Sequence, residues 1–169
     1  MGWYGIFNNG LMTRKENIER ALSVNVLKSA MVGTTYYAAC KDSRDGTVFG
    51  LVCLSRLEDG ELMLKDMTEN VGPCESNCPK SILDLLTPTD NEYALKWRER
   101  CRVNAGNKGL VSKFLKNIDY GKPFKVESIW GTVYEVAKQR PNYRFKGDWL
   151  KCLDDNTYLM KSKVKRIVA

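Results

Sequence analysis

Two cysteines stand four positions apart in a Gly-Pro turn, in the run VGPCESNCPKSILDLLTPTD at residues 71–90. Cys74 and Cys78 admit three kinds of chemistry. Two sulfurs in a tight turn, separated by about two to four residues, open many tetrahedral zinc sites, because both must reach one centre at about 2.3 Å. A thioredoxin-like redox pair instead has about two intervening residues and a first thiolate at a helix N-terminus. Three intervene here, Glu75, Ser76 and Asn77, which argues against that pair. The third possibility is two thiols buried as small hydrophobic side chains. For zinc, Cys101 on the following helix is the natural third ligand, and Asp66, at the end of the strand entering the loop, is the best oxygen donor for the fourth place. Cys152, Cys53, Glu75 or water are the alternatives. Such a site would stabilise the fold rather than catalyse, since no general base is recognisable beside it.

The rest of the sequence offers little to a catalyst. There is no histidine, the commonest general base and neutral metal ligand. No Gly-rich phosphate loop or nucleophile elbow is present. The paired carboxylates Glu58–Asp59 and Asp154–Asp155 sit in turn sequences and are explained as turn chemistry. The chain is therefore expected not to be an enzyme.

Charge is unevenly placed. Residues 1–95 carry 9 Lys and Arg against 13 Asp and Glu, whereas residues 96–169 carry 18 against 7. A basic C-terminal half is drawn to something anionic, whether nucleic acid, an acidic protein face or a ribonucleoprotein. If nucleic acid, Arg98, Arg100, Arg102, Lys108, Lys113 and Lys116 would track phosphate while Trp130, Tyr143 and Trp149 stacked on bases. The competing expectation places those aromatic residues in a core. No apolar run reaches the roughly 18–20 residues that cross a bilayer. The start, MGWYGIFNNG, lacks the basic flank and apolar stretch of an export signal, so a cytoplasmic protein with reduced thiols is expected.

The elements that must position these residues read as α+β. After an aromatic strand or arm, TRKENIERAL forms a short amphipathic helix capped by Thr13. VNVLKSAMV, TTYYAACK, TVFGLVCLS and ELMLKDM are strand-like, and Asp-Gly steps at Asp45 and Asp59 make the last three an antiparallel meander. Cys40 and Cys53 fall inside these runs as core residues. PKSILDLLTP is helical, followed by a helix capped by Thr89 or Asp90 that carries Tyr93, Trp97 and Cys101 on one side. A breaker near Gly106 and a further basic helix at 108–117 follow. The expected organisation is an antiparallel sheet with helices and a cysteine zinc knuckle at 1–105, a basic helical linker at 106–122, and a small SH3-like or OB-like β-barrel at 123–169.

Three stretches together, VLKSAMVGTTYYAA at 26–39, KDMTENVGPCESNCPKSILDLLTPTD at 65–90 and WRERC at 97–101, behind an MGW start, carry a resemblance. Over roughly residues 1–102 the sequence resembles an uncharacterised family carried by phages and integrative mobile elements. Its motif positions fall here on Asp66, Cys74, Cys78 and Cys101. What the resemblance implies is context, a small accessory protein of a mobile element. By analogy this suggests an inhibitor of a host-defence nucleoprotein, an anti-CRISPR that binds the protein of a Cas9-type effector and blocks nucleic-acid loading. The alternative is a nucleic-acid-binding accessory factor that uses the basic C-terminal half.

Overall fold

The computed structural model describes residues 2–168, so the expected domain ends at Met1 and Ala169 lie outside them. It divides into two units, Met1–Ala105 and Gly106–Ala169.

In the first unit five antiparallel strands run in the order β1-β5-β4-β3-β2, where β1 is Tyr4–Ile6, β2 Asn25–Val32, β3 Thr35–Lys41, β4 Val48–Glu58 and β5 Glu61–Thr68. The expected meander is β3-β4-β5. Its β4-β5 turn uses Asp59 at φ 51° followed by Gly60 at φ 78°, the backbone sign that tight hairpins require and that Asp-Gly supplies at least cost. Tyr36, Tyr37, Ala38, Ala39 and Cys40 are all buried, which an alternating one-faced strand would not allow. Both faces are covered. Helix α1 (Arg14–Ala21) brings Ile18 against Tyr36, Ala38, Cys40, Leu51, Cys53, Leu62 and Leu64. The other face packs Tyr37, Ala39 and Val52 against Cys78, Ile82, Leu83, Trp97 and Cys101.

Local signals account for most boundaries. Thr13 caps α1 by accepting from the Glu16 N–H at 3.1 Å, satisfying a donor the first turn leaves free. The helix expected over PKSILDLLTP shrinks to α2, Lys80–Leu83. Its tail is drawn away because Thr87 pairs with the start of β4, through Thr87 N–H to the Val48 carbonyl and Val48 N–H to Thr87 Oγ1. Helix α3, Glu92–Asn117, is capped by Asn91, whose Oδ1 accepts from the Ala94 N–H at 2.9 Å, rather than by Thr89 or Asp90. Thr89 instead accepts from the Asn91 N–H and so orients the cap. The buried side of α3 is Ala94, Trp97, Arg98 and Cys101, while Tyr93 is mostly exposed. The sheet must approach Trp97 closely at Gly50, where an added Cβ would stand 2.9 Å from the indole.

The break expected near Gly106 is absent, and α3 runs through Gly106 and Gly109 to Asn117. Each glycine costs a helix about 1 kcal/mol. Val111, Phe114, Leu115 and Ile118 offset this by forming an i, i+3, i+4, i+7 stripe in the core of the second unit, which makes residues 111–118 part of that unit's packing rather than a bare connector. That unit's sheet runs β10-β6-β7-β8-β9, with β6 Pro123–Ser128, β7 Val133–Gln139, β8 Trp149–Cys152, β9 Tyr158–Leu159 and β10 Val164–Ile167. All neighbours are antiparallel. It is an open sheet with β9 and β10 at its edges, not the closed barrel expected from the strand spacing. Closure needs edge strands long enough to pair, and β9 has two residues.

Candidate functional site

The four residues expected to hold zinc are placed very differently. Cys78 and Cys101 are buried in one core with Trp97. Burial pushes the Cys101 thiol up to about 11 and raises Cys78 as well, with Cys101 and Glu69 adding to the shift at Cys78. Cys74 is exposed. Asp66 lies directly opposite Cys53 in the β4-β5 ladder and accepts the Tyr4 hydroxyl at 2.8 Å. Cross-strand partners share a face, and Cys53 belongs to the α1 side of the sheet whereas Cys78 and Cys101 belong to the other. Asp66 is thus separated from both thiols by the sheet itself. Among the alternatives, Cys53 shares the Asp66 side and Cys152 lies in the second unit's core. Among the described residues no group of three or more Cys, Asp and Glu gathers as metal ligands would. The donor set does not fit a tetrahedral zinc.

The knuckle is instead woven into the core by its backbone. Trp97 Nε1 donates to the Glu75 carbonyl at 2.8 Å, Asn77 N–H to the Tyr37 hydroxyl at 3.1 Å, and Asn104 Nδ2 to the Ser76 carbonyl at 2.9 Å. Beside it lies a pair that the sequence did not announce. Arg98 Nε and Nη2 each donate to Glu69 at 2.7 Å, and Glu69 Oε1 also accepts from the Gly50 N–H at 3.2 Å. Arg98 is therefore committed inside the first unit and is no phosphate contact. Arg100 donates to the Pro73 carbonyl.

The second unit presents a contrasting surface. Residues 106–169 hold 14 Lys and Arg against 6 Asp and Glu. Among the described residues of this unit one ion pair forms, Arg166 with Glu127. Lys138 is buried, with Nζ donating to the Leu115 carbonyl at 2.9 Å. Lys108, Lys113 and Lys116 are exposed on α3.

The register decides which side chains leave the core. Val126, Val136, Leu150, Cys152 and Leu159 point inward, so their neighbours Lys125, Trp149, Lys151 and Tyr158 take the outer face. There Phe145 stacks on Trp149 with centroids 4.9 Å apart and meets Tyr158 edge-on at 5.0 Å. Trp149 Nε1 donates to the Arg140 carbonyl at 2.9 Å, and the Arg140 guanidinium lies over Tyr120 at 4.3 Å.

The expectation that the aromatic residues fill a core is overturned. Trp130 is 63% exposed and Tyr143 wholly exposed, while Trp149 is half-buried. Tyr158 and Phe145 were missed because a two-residue strand and a turn give no periodic signal.

Compared with known protein families, with curated proteins and with solved structures, the chain shows no match. No helix of the described residues is long and apolar enough to cross a membrane.

Proposed function

We propose that the second unit binds single-stranded nucleic acid, with its exposed lysines and arginines on the phosphates and its aromatic side chains stacking on bases. One observation carries this function. A sheet with Phe145, Trp149 and Tyr158 clustered beside Lys151 stands in a unit whose cations are almost all without a carboxylate partner among the described residues. Stacking on aromatic faces beside a positive track is how sequence-tolerant single-strand binders work. The strand order, with the last strand returning beside the first and a 3-10 turn at Lys161–Lys163 ahead of it, also supports kinship with small SH3-like barrels at the level of topology.

Inhibition of a Cas9-type effector through its protein surface rests on the resemblance alone. The block that carries the resemblance is occupied in the first unit's core, with Cys78, Ile82 and Leu83 buried. A mobile-element accessory factor that engages nucleic acid is better supported by the charge and the aromatic surface.

Fluorescence anisotropy with a labelled single-stranded oligonucleotide tests this function across salt. With roughly five phosphate contacts, log K should fall against log salt with a slope of about −3.5. Binding that is flat in salt, or absent while the protein co-elutes with a protein target, would favour the inhibitor instead.

A further inference from the structure

At one end of the second sheet, a recess of about 340 Å³ is lined by Trp130, Tyr134, Asp155, Tyr158, Met160 and Lys163, among others. This is near the lower end of small-ligand sites, about 300–1,000 Å³. Trp130, Tyr158 and Met160 leave much of their apolar surface in water, at 63%, 49% and 56% exposed.

The indole is held out by a fixed turn. Ser128 Oγ accepts from the Trp130 and Thr132 N–H groups at 3.3 Å each. Gly131, at φ 85°, donates its N–H to the Ser128 carbonyl at 2.9 Å. Ile129 N–H donates to the Lys163 carbonyl at 2.9 Å, which ties this turn to the 3-10 turn carrying the lysine. A large ring presented by so constrained a backbone has little ordering left to undergo when a ligand arrives.

On the far side, Asp155 Oδ1 accepts from the Thr157 N–H at 3.0 Å and from its hydroxyl at 2.6 Å. Its other oxygen accepts from no side chain among the described residues. The two Thr157 hydrogen bonds hold this carboxyl below the usual aspartate range, so the recess keeps an acceptor at neutral pH. Aromatic walls with a carboxylate would also suit an organic cation. Lys163 on the lining and Lys161 beside it, in a unit with 14 cations against 6 anions, oppose a cation and favour a ring attached to phosphate.

We propose that this recess takes one unstacked nucleobase, lying on Trp130, with its exocyclic amine donated to Asp155 and its phosphate drawn to Lys163. The assignment rests on the nucleic-acid function proposed above. It commits the site to cytosine, adenine or guanine over thymine and uracil, because only the first three carry an exocyclic amine donor.

The test compares anisotropy titrations of oligo(dC) and oligo(dT) of equal length on wild type, Trp130→Ala, Trp130→Phe and Asp155→Asn, at two salt concentrations. Wild type should prefer oligo(dC) several-fold. Trp130→Ala should weaken oligo(dC) by about 10-fold or more with an unchanged salt slope, and Trp130→Phe should recover much of the loss. Asp155→Asn keeps an oxygen for Thr157 but offers an amide donor to the recess, so the preference should vanish or turn toward oligo(dT). Equal binding of both oligonucleotides, or Trp130→Ala binding like wild type, overturns the base site while leaving the function standing. A loss in Trp130→Ala that comes with a shallower salt slope also overturns it, because it reports a phosphate contact instead. No binding of either oligonucleotide by wild type removes both.

Discussion

Breaking the buried pair between Glu69 and Arg98 should be the most damaging polar substitution in the first unit. The Glu69 side chain is 2% exposed and that of Arg98 9%, with both guanidinium donors at 2.7 Å. Arg98→Met leaves a carboxylate in the core with the Gly50 N–H as its only remaining partner among the described residues. Removing one partner of such a pair costs about 3–5 kcal/mol. Against a total stability of about 5–15 kcal/mol this is severe, and for a chain of 169 residues it should lower the melting temperature by roughly 6–20 °C at about 2–4 °C per kcal/mol. Glu69→Gln combined with Arg98→Met removes both charges and keeps an oxygen for Gly50, leaving amide hydrogens to be satisfied at about 1–3 kcal/mol. The double variant should therefore be more stable than Arg98→Met alone. Urea melts followed by tryptophan fluorescence suit the measurement, since Trp97 is wholly buried against the same core. An Arg98→Met deficit under 1 kcal/mol, or single costs that simply add in the double variant, would refute the pair as a coupled buried unit.

Three further outcomes follow from the same structure. Gly106 and Gly109 lie inside α3 with open space where a Cβ would go, so Gly106→Ala and Gly109→Ala should each stabilise by about 0.5–1 kcal/mol, and a loss on thermal melting would show that the helix does not pass through them. Cys74 is the exposed thiol and the other five cysteines are buried. One fast-reacting thiol per native chain is therefore expected, with no change in melting temperature on adding a chelator, and a chelator-induced drop of several degrees would return the sulfurs to a metal. Burial moves Cys40 from an ordinary 9.0 to about 11 and Cys53 to about 12. Because the native state disfavours the thiolate, stability is fully present below pH 9 and is lost as pH rises from 9 toward these values, by at most about 1.4 kcal/mol per pH unit for each thiol. Urea midpoints that stay flat from pH 7 to 10.5 would contradict this.

The first sheet was legible because its signals are local. Two Asp-Gly turns set the meander and Thr13 announces α1, whereas the covering of β3 on both faces, where one packed face was expected, emerges only from the tertiary packing. The side of the sheet that Asp66 takes and the continuity of α3 through Gly106 were not legible, for different reasons. Which side of the sheet a residue takes depends on register, and a one-residue step separates Asp66 on the Tyr4 side from Met67 on the Trp97 side. Spacing toward Cys74 could not supply that. At Gly106 the local propensity to break lost to a tertiary stripe, Val111, Phe114, Leu115 and Ile118, which emerges only when the helix meets β6–β8. The pairing of Glu69 with Arg98 spans 29 positions and follows no motif.

Several aromatic residues of the two units differ in what covers them. In the first unit Tyr36, Tyr37 and Trp97 are buried, and their polar atoms meet Glu19, the Asn77 N–H and the Glu75 carbonyl. Their presence is fully explained by the core they complete. In the second unit the core is made by Val126, Val136, Leu150, Leu159 and Phe124, and Trp130, Tyr143 and Tyr158 stand outside it at a cost in exposed apolar area. Each such ring leaves water only when something covers it, and burial of apolar surface contributes about 25 cal/mol per Å². The same unit carries 14 lysines and arginines with one ion pair among the described residues, so a partner that offers flat rings at regular spacing on an anionic chain removes both costs at once. An apolar protein face would cover the rings and leave the cations unanswered, and an acidic protein face would do the reverse.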